Sequence, residues 1–129
     1  MTTATVCTAL LGGLVFGLGL LVSLTRGNTN TVIGHAPDPT DRLHKAVRAH
    51  ANAAEYAPMM AVLILLVGAH DPSTWMVWTF VAATASRYLH AVGMLTCATL
   101  AAPNPFRFVG ALGTYLTGAA LVVATLLRA

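Results

Sequence analysis

The chain has 129 residues, enough for one domain; 57% of them are hydrophobic and only 9% are charged. A soluble domain carries nearer ~25% charged residues, so too few charges are present to cover a water-facing surface, and an ordinary soluble globule is excluded. The formal net charge is +3, and the seven Lys and Arg are scattered, mostly near the ends of apolar runs; that pattern argues against nucleic-acid binding, which needs a clustered basic face, and for a membrane orientation signal.

The first apolar stretch runs from about Thr5 to Thr25. It lacks the basic start of a secretory signal and has the ~20 residues needed to span a bilayer, so it is expected as a retained helix. Gly13 and Gly17 give it a GxxxG spacing of the kind that lets helix backbones approach closely. A water-exposed loop follows, Gly27 to Pro37, rich in Gly, Asn, Thr and Pro.

Three further apolar segments, Ala49–Ala69, Trp75–Thr96 and Phe108–Leu127, are each close to a helical span in length. Asp38-Pro39, Asp71-Pro72 and Asn104-Pro105 each place a capping side chain before a proline at the expected first helical position. His70-Asp71 leaves room only for a tight turn between antiparallel neighbours. The expected fold is therefore all-α: an integral membrane four-helix bundle in one domain, 1–129, with helices over roughly 5–25, 39–69, 72–96 and 105–128. Continuous apolar runs exclude a barrel, which needs many ~10-residue alternating segments.

Cys7 and Cys97 form neither a disulfide framework nor a metal-ligand spacing. In this topology they lie near opposite faces of the bilayer, beyond disulfide reach. The histidines show no paired-ligand spacing, so no metal is expected.

Charge sets the orientation. Arg26, Arg42, Lys45, Arg48 and Arg107 fall on one side with Asp38 and Asp41; Asp71 and Arg128 fall on the other. The positive-inside rule places the first and third loops in the cytoplasm and both termini on the non-cytoplasmic side. Trp75 and Trp78 suit an aromatic belt at the outer end of the third helix.

Of the four acidic residues, only Glu55 lies inside a span. An ionisable group at membrane depth costs several kcal/mol (~2.5–3.5 on insertion scales) and persists when paired, wet or needed. Arg48, Asn52, Glu55 and Tyr56 follow i, i+4, i+7, i+8 spacing and line one helix face, while His50 points elsewhere. Pro58 cannot donate to the Ala54 carbonyl and leaves an acceptor free beside them. Arg87 and His90 share a face of the third helix. With Arg26 and Arg107, each helix brings an arginine to the same end of the bundle. One carboxylate cannot neutralise four guanidiniums, so the pattern suits a small molecule with two or more carboxylates, held by arginines, and an ammonium group, held by Glu55.

The run Arg48-Ala49-His50-Ala51-Asn52-Ala53-Ala54-Glu55-Tyr56-Ala57-Pro58 resembles the second-helix signature of the MAPEG family, the membrane-associated proteins in eicosanoid and glutathione metabolism. Arg87-Tyr88-Leu89-His90-Ala91-Val92-Gly93 resembles that family's third-helix R-x-x-H-x-x-G pattern, and Pro105-Phe106-Arg107 the P-x-R that opens its fourth helix. With four spans, the resemblance covers nearly the whole chain. It implies a homotrimer binding glutathione between subunits near the cytoplasmic face. By resemblance, Arg48, Asn52, Glu55 and Tyr56 would bind the tripeptide with Arg87, His90, Arg26 and His50 contributing, and Arg107 would stabilise the thiolate. Two departures stand out: the stretch between His90 and Arg107 is a few residues longer than in the eicosanoid enzymes, and Met94 stands where they commonly carry tyrosine.

The expected function is a glutathione transferase or peroxidase acting on a lipophilic second substrate that arrives through the membrane lipids. The alternatives are a non-catalytic membrane scaffold or accessory subunit on the same fold, and a lipid-headgroup or small-anion binder.

Overall fold

A computed structural model describes residues 1–128. Four helices account for the architecture: α1 Thr2–Thr29, α2 Arg42–Gly68, α3 Thr74–Thr96 and α4 Pro105–Leu126. No strand occurs among the described residues. α1, α2 and α4 are each long and apolar enough to cross a membrane. α3, expected as the third span, is not in that group. Its 23 residues would rise ~35 Å, so length is not the reason; Arg87, His90 and its Ser, Thr and Trp residues dilute the apolar run.

Only one of the three expected proline starts is used. Asn104 caps α4, its side chain accepting the Arg107 N–H at 3.1 Å, with Pro105 at the first position. α2 instead begins three residues after Pro39, capped by Asp41, whose carboxylate accepts the His44 N–H at 2.8 Å. Asp38 is spent on a local turn: its Oδ1 accepts from the Thr40 N–H and hydroxyl at 2.8 and 2.7 Å. These bonds, the backbone N–H foremost, hold the Asp38 carboxyl below its ordinary range. The turn's stabilisation is thus present above the ordinary aspartate pKa and is lost as pH falls through the lowered one. Asp71-Pro72 also belongs to a turn. Asp71 takes a left-handed conformation (φ 43°), which aspartate tolerates, and α3 starts behind Ser73. At the other end, α4 stops at Leu126, and the Arg128 guanidinium donates to the carbonyls of His70 and Asp71 at 2.7 and 3.1 Å.

Close contacts fix the directions of the helices. Gly68 of α2 meets Ala4 and Phe80, while His50 meets Gly19, so α2 runs antiparallel to α1 and α3. Gly93 meets Arg107, and Gly110 meets His90, so α3 and α4 are antiparallel as well. The chain runs up, down, up, down. α3 therefore traverses the same slab as its neighbours, with its polar groups turned inward: Arg87 and Thr84 are buried.

The core is built of small residues. Ala46, Ala49, Ala53 and Ala57 form the buried stripe of α2 at helical spacing and continue into Met60, Ile64 and Val67. One cluster gathers Ala4, Cys7, Leu11, Met60, Ile64, Phe80 and Leu121 toward the end of the bundle where α2 finishes; Leu14, Leu18, Ala49, Ala53, Ala91 and Met94 form a second toward its start. Large apolar side chains face outward instead, among them Phe16 (81% exposed), Leu20, Met59, Trp78, Phe108 and Leu116. Both cysteines are buried and free.

Glycine decides the closest approach, though at other positions than the spacing in α1 suggested. A Cβ on Gly17 would meet nothing within 4 Å, and one on Gly13 only the Tyr88 hydroxyl at 4.0 Å. At the α3–α4 seam, a Cβ on Gly110 would lie 2.5 Å from the His90 nitrogen, and one on Gly93 2.7 Å from that of Arg107. A side chain at Gly113 would collide with Ser86. Gly110→Ala should therefore lower stability by roughly 1–3 kcal/mol through overpacking, read as a lower midpoint of thermal unfolding in detergent. Gly12→Ala, which faces open space, should be neutral or slightly stabilising because alanine is the better helix former.

Candidate functional site

The alanine stripe of α2 leaves room beside it for polar side chains, and the glycine seam draws α4 close behind α3. Arg87 lies between them, only 1% exposed. Its guanidinium donates to the Asn52 side-chain oxygen at 2.6 Å, to the Asn52 carbonyl at 3.1 Å and to the Thr114 hydroxyl at 3.1 Å. It also sits over the Tyr56 ring, 5.2 Å from the centroid, within cation–π range. Its Nε–H is buried and has no partner. The partners it does have are neutral, so the buried charge has no anion in direct contact.

Tyr56 extends the constellation outward. Its hydroxyl lies 3.2 Å from that of Tyr115 on α4, and the two rings meet edge to face at 5.9 Å. Glu55, Tyr56, Thr114 and Tyr115 line one part of a groove of about 330 Å³ between α2 and α4; Met59, Leu63 and Val122 line the rest. Glu55 is exposed there.

A second hollow, of about 500 Å³, opens between α3 and α4 at the first turn of α4, lined by His90, Asn104, Arg107 and Phe108 among others. His90 Nδ1 lies 3.0 Å from the carbonyl oxygen of Arg107. A carbonyl only accepts, so Nδ1 carries the proton of this bond. The Arg107 guanidinium donates to the carbonyls of Leu100 and Ala102, at 2.9 and 3.2 Å.

The expected site residues therefore divide. Asn52, Tyr56 and Arg87 are in direct contact, with Glu55 beside them. His90 and Arg107 are joined to each other but open on the other hollow. Arg107 lies about two turns, ~12 Å, from Tyr115 along α4. Arg26 donates to the Gly34 carbonyl at 2.7 Å and organises the first loop. Arg48 is exposed near the start of α2. His50 packs against Gly19 of α1, on a different face from Asn52. Arg26, Arg48 and Arg107 lie toward one end of the bundle, but Arg87 lies near mid-length, bonded to mid-helix Asn52 and Thr114, so the four guanidiniums do not converge within the chain. Arg26, Arg87 and Arg107 are spent on backbone carbonyls or neutral side chains.

Two contributors were not among the expected residues. Thr114 and Tyr115 stand together in the apolar run of α4, and a polar pair mid-span was the available signal. No group of three or more His, Cys, Asp or Glu side chains suited to a metal occurs among the described residues.

The arrangement, a buried arginine clasped by an asparagine from the R-x-x-x-N-x-x-E-Y helix inside a bundle of membrane-length helices, agrees with the outcome of the sequence comparisons. The family model for MAPEG matches residues 4–127. The chain belongs to the MAPEG family. No curated protein and no solved structure gives a significant match. The MAPEG family is, in general terms, one of membrane glutathione transferase, peroxidase and eicosanoid-type proteins, and its members use glutathione.

Asn52→Ala tests the central clasp. It removes the shortest bond to a buried charge, and hydrogen bonds to charged groups contribute roughly 1.5–3 kcal/mol. A loss of that order should appear as a lower unfolding midpoint, whereas Arg48→Ala, at an exposed side chain, should leave the midpoint nearly unchanged.

Proposed function

We propose that this MAPEG protein is a membrane-bound, glutathione-dependent transferase or peroxidase, which activates the glutathione thiolate against lipophilic electrophiles or hydroperoxides. In this proposal it works as a homotrimer, with both termini on the non-cytoplasmic side and the site near the cytoplasmic face. The observation that carries it is Arg87. A buried guanidinium with neutral partners and an unpaired Nε–H is an unfinished electrostatic arrangement, and an anionic ligand would finish it.

Glutathione fits the residues present. Its carboxylates suit the exposed Arg48 and the field of the buried Arg87, its ammonium suits Glu55, and its amides suit Asn52 and Tyr56. Arg26, His50 and His90 would contribute from the neighbouring helices, or from a neighbouring subunit. An extended tripeptide spans ~10 Å, comparable with the two turns of α4 that separate Tyr115 from Arg107. Arg107, at the third position of α4, would hold the sulfur as thiolate. A guanidinium and a helix N-terminus both favour the anion over the thiol. The apolar outer surface of the bundle would deliver the second substrate from the lipid. The chemistry asked of the protein is modest: it brings a water-soluble nucleophile and an apolar electrophile together and keeps the sulfur charged.

Calorimetric titration of the detergent-solubilised protein with glutathione tests the binding step. Saturable binding is expected, weakened by Arg87→Lys at least tenfold, because lysine cannot reproduce the guanidinium's fan of donors. No heat of binding in the wild-type protein would sink the proposal.

One observation favours a second reading, a non-catalytic scaffold or accessory subunit. The Arg107 guanidinium already caps the α3–α4 loop through two carbonyls, a structural task sufficient in itself. The two readings separate on the ultraviolet thiolate band of bound glutathione at neutral pH. Catalysis requires that band in the wild type and its loss in Arg107→Ala, with assembly retained. Glutathione bound without a thiolate band would favour the scaffold.

A further inference from the structure

Tyr115 was not singled out by any motif, yet its hydroxyl touches the one aromatic side chain beneath the buried guanidinium. It stands eleventh in the 22 residues of α4, a helix apolar enough to cross a membrane, and it is 60% exposed. In hydrocarbon there is no water to satisfy a hydroxyl at that depth. The 3.2 Å approach of the Tyr56 hydroxyl supplies one partner.

Counting protons makes the pair more than a structural bond. Each phenol has one O–H to donate and can also accept. The bond between the two uses one proton and leaves the other pointing out of the pair. Glu55 and Thr114 line the same part of the groove, and the groove's apolar residues offer that proton no acceptor. The pair thus holds one further donor, and the centroid of the Tyr56 ring lies 5.2 Å from the Arg87 guanidinium. A hydrogen bond received by a hydroxyl strengthens the one that it gives.

We propose that Tyr115 is a positioning residue for the anionic thiol peptide and acts through Tyr56: the Tyr115 hydroxyl donates to the Tyr56 oxygen, and the Tyr56 proton is thereby held ready for the ligand. The assignment rests on the glutathione reading given above. The arrangement is self-consistent from the inside outward. Asn52 and Thr114 hold Arg87, Arg87 holds the Tyr56 ring face, and Tyr115 sets the Tyr56 hydroxyl. The edge-to-face contact of the two rings does not depend on the hydroxyls, so phenylalanine at either position keeps the packing and removes only the donor.

A double-mutant cycle on glutathione affinity decides the matter. Wild type, Tyr56→Phe, Tyr115→Phe and the double variant are titrated with glutathione in the same detergent, with thermal midpoints recorded for each. Tyr115→Phe should weaken binding roughly three- to tenfold, the size of one hydrogen bond, with little change in midpoint. The double variant should bind no more weakly than Tyr56→Phe alone, because the effect of Tyr115 passes through Tyr56. Tyr115→Phe binding glutathione as tightly as the wild type would overturn the assignment and leave the glutathione reading standing. Additive losses would overturn the route through Tyr56. A wild type that does not bind glutathione would remove both.

Discussion

Arg87 is a permanent positive charge placed where water cannot reach it, inside a bundle whose outer surface is apolar. Burying such a group alone is prohibitively costly, so the surrounding helices are arranged around its donors. Asn52 on α2 offers two oxygens, Thr114 on α4 offers one, and Tyr56 offers the face of its ring. All come from elements distant in sequence: Asn52 and Tyr56 reach Arg87 because α2 packs against α3, and Thr114 because α3 and α4 lie close together. Gly93, Gly110 and Gly113 make that approach possible. The seam and the charge are therefore one design: without the glycines, Thr114 could not reach the guanidinium.

The same logic explains the uneven character of the four helices. α1, α2 and α4 each contain a stretch apolar enough to cross a membrane and face the surroundings with large apolar side chains, while α3 has no stretch as apolar as theirs. It is nonetheless packed antiparallel to both α2 and α4, with Arg87 and Thr84 turned inward. A helix can hold ionisable residues in such a slab when its partners meet them, and here they largely do.

The incompleteness of that satisfaction is what gives the interior functional meaning. The Nε–H of Arg87 is unpaired, the Tyr56–Tyr115 pair has one proton to spare, and Glu55 stands exposed on the adjoining groove. Each would be an oddity in a bundle that existed only to be stable. Together they are the features on which the proposed glutathione site rests, in a protein whose family uses glutathione. Arg107 and His90, facing the other hollow, are tied to backbone carbonyls, so any part they take in thiol chemistry has to coexist with holding the α3–α4 loop.

The number and apolar nature of the helices could be read directly, because the length of a bilayer-spanning segment and the scarcity of charge are properties of the chain alone. The polar face of Asn52, Glu55 and Tyr56 was equally legible, since spacing along one helix is a local matter, and the motifs around Arg48, Arg87 and Arg107 pointed to the family. Helix starts were less secure: an Asp-Pro pair serves a cap or a turn equally well, and at Asp38 and Asp71 the need to reverse the chain prevailed. Close packing within the chain was not legible for a similar reason. A GxxxG spacing shows that Gly13 and Gly17 permit contact, but only the relative rotation of the helices put Gly93, Gly110 and Gly113 at a seam. Tertiary structure alone decided which arginine is buried, that the four guanidiniums do not meet within one protomer, and that Thr114 and Tyr115 belong to the constellation, because a contact across α2, α3 and α4 has no period in the sequence.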